Sequence, residues 1–276
     1  MNVRYLIFLC LTMFVMSCTH TSDEEVESSQ REIRFIIKSP LSTRSGMEEF
    51  AVGDSIGIYA AKRTQAGIPA KPTQSGNQAH NAKWIKTEDG WQPASVKDKI
   101  VWSQDNEPLD FYAYYPYQRD ASNPETVRVC VNSKQDSEDA IRKSDVLRAA
   151  NNKGLNNGEV EIQFEHIFSM IEVKLTGSII SEDIPVKVSA NEIMTELHLD
   201  LGTGELSPSA TKNGHVELYC VDSTNMIYKG VLPVQQIEEG RAFLQCEFKD
   251  ATYIYRSSPE IKLEPSVLQK FEIEVK

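Results

Sequence analysis

The chain has no excess of basic residues available to neutralise phosphates. Its 29 lysines and arginines stand against 40 aspartates and glutamates, a net charge of −11, which argues against a nucleic-acid partner. Cysteine is scarce: Cys10, Cys18, Cys130, Cys220 and Cys246. None form a Cys-x-x-Cys pair and no Cys/His cluster has zinc spacing, so no metal site is expected. There is no His-Glu-x-x-His and no glycine-rich phosphate loop. The signatures of zinc proteases and P-loop nucleotide binders are therefore missing, and no cofactor or enzymatic activity is expected. Strand-like and helix-like segments do not alternate, which excludes a parallel α/β fold. With 40% apolar and 25% charged residues, the chain is nonetheless globular.

The strongest pattern present is Leu109-Asp110-Phe111-Tyr112-Ala113-Tyr114-Tyr115. Period-two alternation puts Leu109, Phe111, Ala113 and Tyr115 on one face, and Asp110, Tyr112 and Tyr114 on the other. Aromatic residues fill both faces, which predicts a strand buried on one side and half covered on the other. Pro116 cannot donate to a ladder and should end the pairing. Lys99–Trp102 reads as a short strand and Ser103–Pro108 as a turn, so the two strands are predicted to form a hairpin.

The first strand is predicted at Arg31–Lys38, where Ile33, Phe35 and Ile37 alternate with Arg34, Ile36 and Lys38. Alternation recurs at Gly158–His166, Ile167–Leu175, Leu197–Leu201, Val216–Val221, Ala242–Phe248, Thr252–Tyr255 and Lys270–Val275. Trp84 and Trp91 flank the turn Glu88-Asp89-Gly90, a hairpin signal. A short, poorly capped helix is predicted within Ser137–Arg148. Ala60–Gln78 is a long loop, either functional or mobile. Strands at this spacing, with turn residues between them, predict an all-β chain of sandwich type. Gly53-Asp54-Ser55 reads as a turn feeding a strand rather than as an esterase serine, because no Asp-x-x-His follows. His166 reads as a hydrogen-bonded structural residue. Cys130, Cys220 and Cys246 read as buried thiols, with a Cys220–Cys246 bridge left open.

Residues 1–17 read as an export signal. Arg4 supplies the positive start, and Tyr5–Met16 is apolar but too short to span a bilayer as a stable helix. The segment ends in Val15-Met16-Ser17-Cys18. A small residue before this cysteine resembles a lipobox, which implies cleavage before Cys18 and a diacylglycerol on its thiol. Residues 18–30 read as a flexible tether. Within them Ser22-Asp23-Glu24-Glu25 resembles the signal that sends Bacteroidetes lipoproteins to the outer face of the outer membrane. A surface-exposed outer-membrane lipoprotein, anchored by its acyl chains, is expected.

Val101-Trp102, a polar turn and then Leu109–Pro116 resemble a signature of the fimbrillin family of Bacteroidales, the subunits and accessory proteins of surface pili. So do Phe50-x-x-Gly53-Asp54-x-Ile56-Gly57-x-Tyr59 and the run Phe164-x-His166…Ser169-x-Ile171-x-Val173. Ser144–Ala149 resembles the family's Asp-Leu-Leu-Tyr-Ala segment, with Val146 and Arg148 departing from it. Pro233-Val234-Gln235 lies near the family's Pro-Gln motif, with a valine interposed. The motifs run in order from about Phe50 to the C-terminus.

The resemblance implies two consecutive transthyretin-like Greek-key β-sandwiches, bounded here as residues 31–177 and 178–276. It implies a structural or adhesive component of a fimbria that exchanges strands with other fimbrial subunits. In the family a trypsin-like protease cuts after an arginine in the loop behind the first strand. Arg44, followed by Ser45, is the matching position. The displaced strand would carry Ile33, Phe35 and Ile37, and Phe271, Ile273 and Val275 would form a donor strand. The alternative is an ordinary loop arginine with the first strand left in place. A second function class stays open: a surface glycan-binding lipoprotein that stacks sugars on Trp84 and Trp91 beside Ala60–Gln78. Either could meet a host or bacterial surface receptor.

Overall fold

Leu109–Tyr115 is buried along its whole length and on both faces. The computed structural model describes residues 31–41, 49–177, 185–209, 214–248 and 250–276. In it this strand is the middle of a seven-stranded sheet. The order is Arg34–Lys38, Glu159–His166, Leu147–Leu155, Leu109–Tyr115, Ser55–Lys62, Ala79–Thr87, Gly90–Pro93. One face packs Leu109, Phe111, Ala113 and Tyr115 with Ile56, Ile58, Trp84 and Phe164. The other packs Tyr59, Tyr112 and Tyr114 onto a second apolar cluster that runs through the rest of the chain. The half-covered face expected from the sequence is thus closed, because residues far along the chain return to cover it. Burial pushes the Tyr112 hydroxyl up to about 12 and moves Tyr59, Tyr114 and Tyr115 upward in the same way. These phenols stay neutral and serve as hydrogen-bonding groups.

The predicted hairpin between Lys99–Trp102 and Leu109–Tyr115 does not form. The two flanks of the central strand are taken by the longer strands Ser55–Lys62 and Leu147–Leu155. Lys99–Trp102 turns instead to the start of the chain. Ile33 N donates to Ile100 O at 2.8 Å, and Trp102 N donates to Arg31 O at 3.0 Å. Ile100 and Trp102 are buried in the same aromatic core. This contact reflects the curl of the sheet. Five steps of about 4.8 Å would separate the first strand from Ala79–Thr87 by about 24 Å in a flat sheet. The Phe35 and Trp84 rings nevertheless lie 4.9 Å apart.

The strands after Glu159–His166 build smaller sheets. Ser169–Thr176 lies between Ile227–Leu232, antiparallel, and Leu268–Glu274, parallel. Gly214–Glu217, Lys187–Ile193, Ala242–Glu247 and Thr252–Arg256 form another. The expected strand Val216–Val221 divides at Leu218: Gly214–Glu217 pairs with Lys187–Ile193, and Tyr219–Asp222 with Ile227–Leu232. Val127–Cys130 pairs with Glu196–Leu199, so strands from both sides of Gly177 share sheets. The helix Glu138–Ser144 forms, and its cap is better than expected: the Ser137 hydroxyl accepts from Ala140 N at 3.2 Å. Cys130, Cys220 and Cys246 are free thiols. Cys130 is exposed rather than buried, Cys220 half-buried and Cys246 buried.

The fully buried Asp110 explains the long loop. Its carboxylate accepts from Arg63 Nε at 2.9 Å and Arg63 Nη2 at 2.6 Å. It also accepts from Ala70 N at 2.7 Å and Gly154 N at 3.0 Å. Tyr112 Oη donates to Ala70 O at 2.7 Å. One strand face therefore pins the segment after Lys62 at its start and middle. A buried charge left without its partner is costly. Asp110→Ala would strand the Arg63 guanidinium and two backbone N–H donors, those of Ala70 and Gly154. It should lower unfolding free energy by about 3–5 kcal/mol, read as a shifted denaturation midpoint. A shift worth under about 1 kcal/mol would show that these bonds are replaced by water.

Candidate assembly interface

The first strand, Arg34–Lys38, ends the seven-stranded sheet and is its one parallel member among the described residues. Arg34 stands opposite Glu159, Phe35 opposite Val160, Ile36 opposite Glu161, Ile37 opposite Ile162 and Lys38 opposite Gln163. The predicted alternation is present: Ile33 and Phe35 are buried, Ile37 is half-buried, and Ile36 is 41% exposed. Phe35 meets Trp84 and Phe111 edge to face, at 4.9 and 5.6 Å. Arg34 pairs with Glu159 at 3.2 Å and Lys38 with Glu161 at 2.8 Å. These pairs are about half exposed, and each contributes at most about 1 kcal/mol. What holds the strand is thus three inward apolar side chains over an aromatic floor, a parallel ladder on one flank, and at its start the backbone bonds with Ile100 and Trp102.

The last strand, Leu268–Glu274, also ends its sheet in parallel pairing, with Ser169–Thr176. Ile273 and Val275 are buried, and the half-buried Phe271 meets Phe243 at 5.6 Å and Tyr255 at 6.1 Å. The three expected donor residues are therefore seated in the chain's own core. The chain passes so close to Gly177, at φ +130°, that a Cβ there would lie 2.0 Å from Val275 O. Tyr253 Oη donates to Lys276 O at 2.8 Å. Glu172 faces Lys229 on one side and Lys270 on the other, at 3.4 and 3.0 Å.

Beside the end of the first strand lies a polar cluster. Pro40, Glu49, Phe50, Asp54, Tyr115, Arg142, Asp145 and His166 enclose about 20 Å³, room for a single water. Arg142 ion-pairs with Asp54 and Asp139. Tyr115 Oη donates to Asp54 Oδ1 at 3.1 Å. His166 Nδ1 is 2.8 Å from Asp145 Oδ2, off the line of a good hydrogen bond. The expectation of a hydrogen-bonded histidine is not met: neither ring nitrogen has a well-aligned hydrogen-bond partner among the described residues. Gly53-Asp54-Ser55 is a turn, as expected: Ala51 N donates to Asp54 Oδ2 at 2.8 Å, and Ser55 opens a strand. Among the described residues no group of three or more His, Cys, Asp or Glu side chains is placed to hold a metal.

Cys18, Arg44 and Ser45 lie outside the described residues. The tryptophan platform does not exist in the expected form. Trp84 is 4% exposed and its indole donates to Asp98 O at 3.1 Å. Trp91 packs its ring against Phe50 at 5.0 Å. Both rings are drawn into the aromatic core by the curl of the sheet. The acidic residues Glu159, Glu161 and Glu172 beside the two terminal strands carried no motif. Their only signal was period-two alternation on strands next in the sheet to a terminal one.

The clip on the last strand depends on pH. Burial pushes the Glu172 carboxyl up, but the Lys270 and Lys229 ammonium groups outweigh it and hold the group below its ordinary 4.5. A depressed folded value stabilises above the unfolded value, and that contribution is lost as pH falls through the folded one. Protection of the Lys270–Glu274 amides against hydrogen exchange should therefore fall as pH drops below the ordinary 4.5 and through the depressed value of Glu172. In Glu172→Gln the fall should be much smaller. An identical profile in the two proteins would remove Glu172 from the account.

Residues 43–276 match the fimbrillin-like family. The fold is shared with a protein assigned to cell adhesion from Bacteroides uniformis: TM-score 0.64 at 17% identity, over 89% of this chain and 94% of that one. A second such protein, from Bacteroides ovatus, gives TM-score 0.66 at 18% identity, over 89% and 91%. A fimbrial protein of Bacteroides ovatus gives 0.53 at 14% identity, over 89% of this chain and 50% of that one. No curated protein is similar enough in sequence to match. The match over most of its length makes this chain a member of the fimbrillin-like family.

Proposed function

We propose that the protein is a non-enzymatic subunit of a cell-surface fimbria, assembled by strand exchange. It is exported on residues 1–17, lipidated on Cys18, and held by residues 18–30 at the outer face of the outer membrane. Cleavage after Arg44 releases the first strand together with the lipid. The groove left behind takes an extended strand of another fimbrial subunit. A chain that escapes cleavage stays anchored. Residues 31–177 and 178–276 act as two sandwich units with shared strands at their junction.

The observation that carries this reading is the first strand itself. It is a terminal strand in parallel pairing, its Ile33, Phe35 and Ile37 side chains sit in an aromatic groove, and Arg44 follows it closely in sequence. Backbone bonds on one flank and alternate pockets are what strand addition uses. Glycan binding through Trp84 and Trp91 has no comparable support, since Trp84 is buried and Trp91 is half-buried against Phe50.

Two readouts on one expression experiment test the proposal. Labelled fatty acid should enter the wild-type precursor and not the Cys18→Ala protein. The purified full chain, treated with an arginine-specific protease, should give a new N-terminus at Ser45 with the remaining core still folded. Resistance at Arg44, cleavage only at other arginines, or label retained in Cys18→Ala would each contradict the corresponding step.

A further inference from the structure

The groove under the first strand is apolar inside and acidic along its rim. Strand Glu159–His166 turns Glu159, Glu161 and Glu165 outward, all exposed, with Gln163 between them. The first strand answers with Arg34 on Glu159 and Lys38 on Glu161. On the far side Lys153 acts on Glu161, and Arg148 stands opposite Glu165. Lys99 is paired to Glu32, at the start of the first strand. Loss of the first strand removes Arg34 and Lys38 together. Glu159 and Glu161 then line the open flank without them.

We propose that the emptied groove selects its occupant by charge. It takes an extended segment of a different fimbrial subunit, one with large apolar residues at alternate positions and Lys or Arg on the outward ones. It discriminates against the C-terminal strand of a second copy of this chain. The inference rests on the strand-exchange reading above and specifies the partner.

The C-terminal strand shows why. In the direction of the strand it would replace, Phe271, Ile273 or Val275 can take the place of Phe35. With Phe271 there, Lys270 meets Glu159 as Arg34 does, but Glu272 comes opposite Glu161 and Glu274 takes the place of Lys38. With Ile273 there, Lys276 takes the place of Lys38, but Glu272 and Glu274 face Glu159 and Glu161. With Val275 there, Lys276 meets Glu161, but Glu274 faces Glu159. Every register sets glutamate against glutamate, and like charges directly opposite across a strand pair destabilise it. In its own sheet the same strand is matched: Lys270 stands opposite Glu172, and Glu272 opposite Lys174. The outward charges of the last strand thus fit its home and misfit the groove. The large apolar residue required at the Phe35 position follows from the Trp84 and Phe111 rings that receive it.

The test uses the full chain after treatment with an arginine-specific protease. Two labelled peptides are offered: the Lys270–Val275 sequence, and the same sequence with Glu272→Lys and Glu274→Lys. At about 50 mM salt the lysine peptide should bind about tenfold more tightly, and the gap should narrow at about 500 mM. A chain carrying Glu159→Lys and Glu161→Lys should reverse the order. Equal affinities, or tighter binding of the native sequence, would overturn the proposal. Binding of neither peptide by a chain shown to have lost its first strand would overturn strand exchange itself. A second measurement needs no cleavage. In the intact chain, Glu159→Lys with Glu161→Lys should lower exchange protection of the Arg34–Lys38 amides several-fold, and adding Arg34→Glu with Lys38→Glu should restore it. Unchanged protection would overturn the charge selection whatever the protease does.

Discussion

Burial of Leu109–Tyr115 on both faces is the constraint from which the remaining structure follows. A strand in that position needs two cores. The odd residues are covered by the curl of their own sheet, which brings Phe35, Trp84, Ile100 and Trp102 around Phe111. The even residues Tyr112 and Tyr114 join a second apolar cluster drawn from both sides of Gly177. The one carboxylate on this strand, Asp110, is tolerated because Arg63 and two backbone amides satisfy it. Those bonds fix a loop that composition alone suggests is mobile.

Around this centre the first and last strands are built alike and held differently. Both are terminal, both pair in parallel, and both turn alternate apolar residues inward. The first is fastened on its outer face by exposed ion pairs. The last is fastened by the more buried Glu172 between two lysines and by the bond from Tyr253 to the final carbonyl. Exposed pairs are screened and weak, whereas partly desolvated ones hold more firmly. On its outer face the first strand is thus the more weakly fastened of the two.

Much of this was legible from period-two alternation. Ile33, Phe35 and Ile37 announced a strand with one inward face, and Leu109–Tyr115 announced the centre of an all-β chain. Pairing partners were not legible, because alternation specifies faces and not neighbours. Lys99–Trp102 lies nearest in sequence to Leu109–Tyr115, while the curl of the sheet sends it to Arg31–Ile33. Gln135 gave no signal either. It is fully buried, accepts from Val231 N and donates to Val231 O, each at 2.8 Å, so its side-chain amide pairs with the strand Ile227–Leu232. Nothing in a lone glutamine marks that use. The charge pattern Glu159, Glu161 was visible as sequence, but its meaning needed the parallel register.

The central claim is that the first strand is a separable part laid on an otherwise complete core. Native-state hydrogen exchange as a function of low denaturant tests it most directly. The amides of Phe35–Lys38 should exchange through a local opening of markedly lower free energy and little denaturant dependence, while those of Leu109–Tyr115 exchange only with global unfolding. Amides in both strands exchanging together, with the same free energy and the same denaturant slope, would contradict the account.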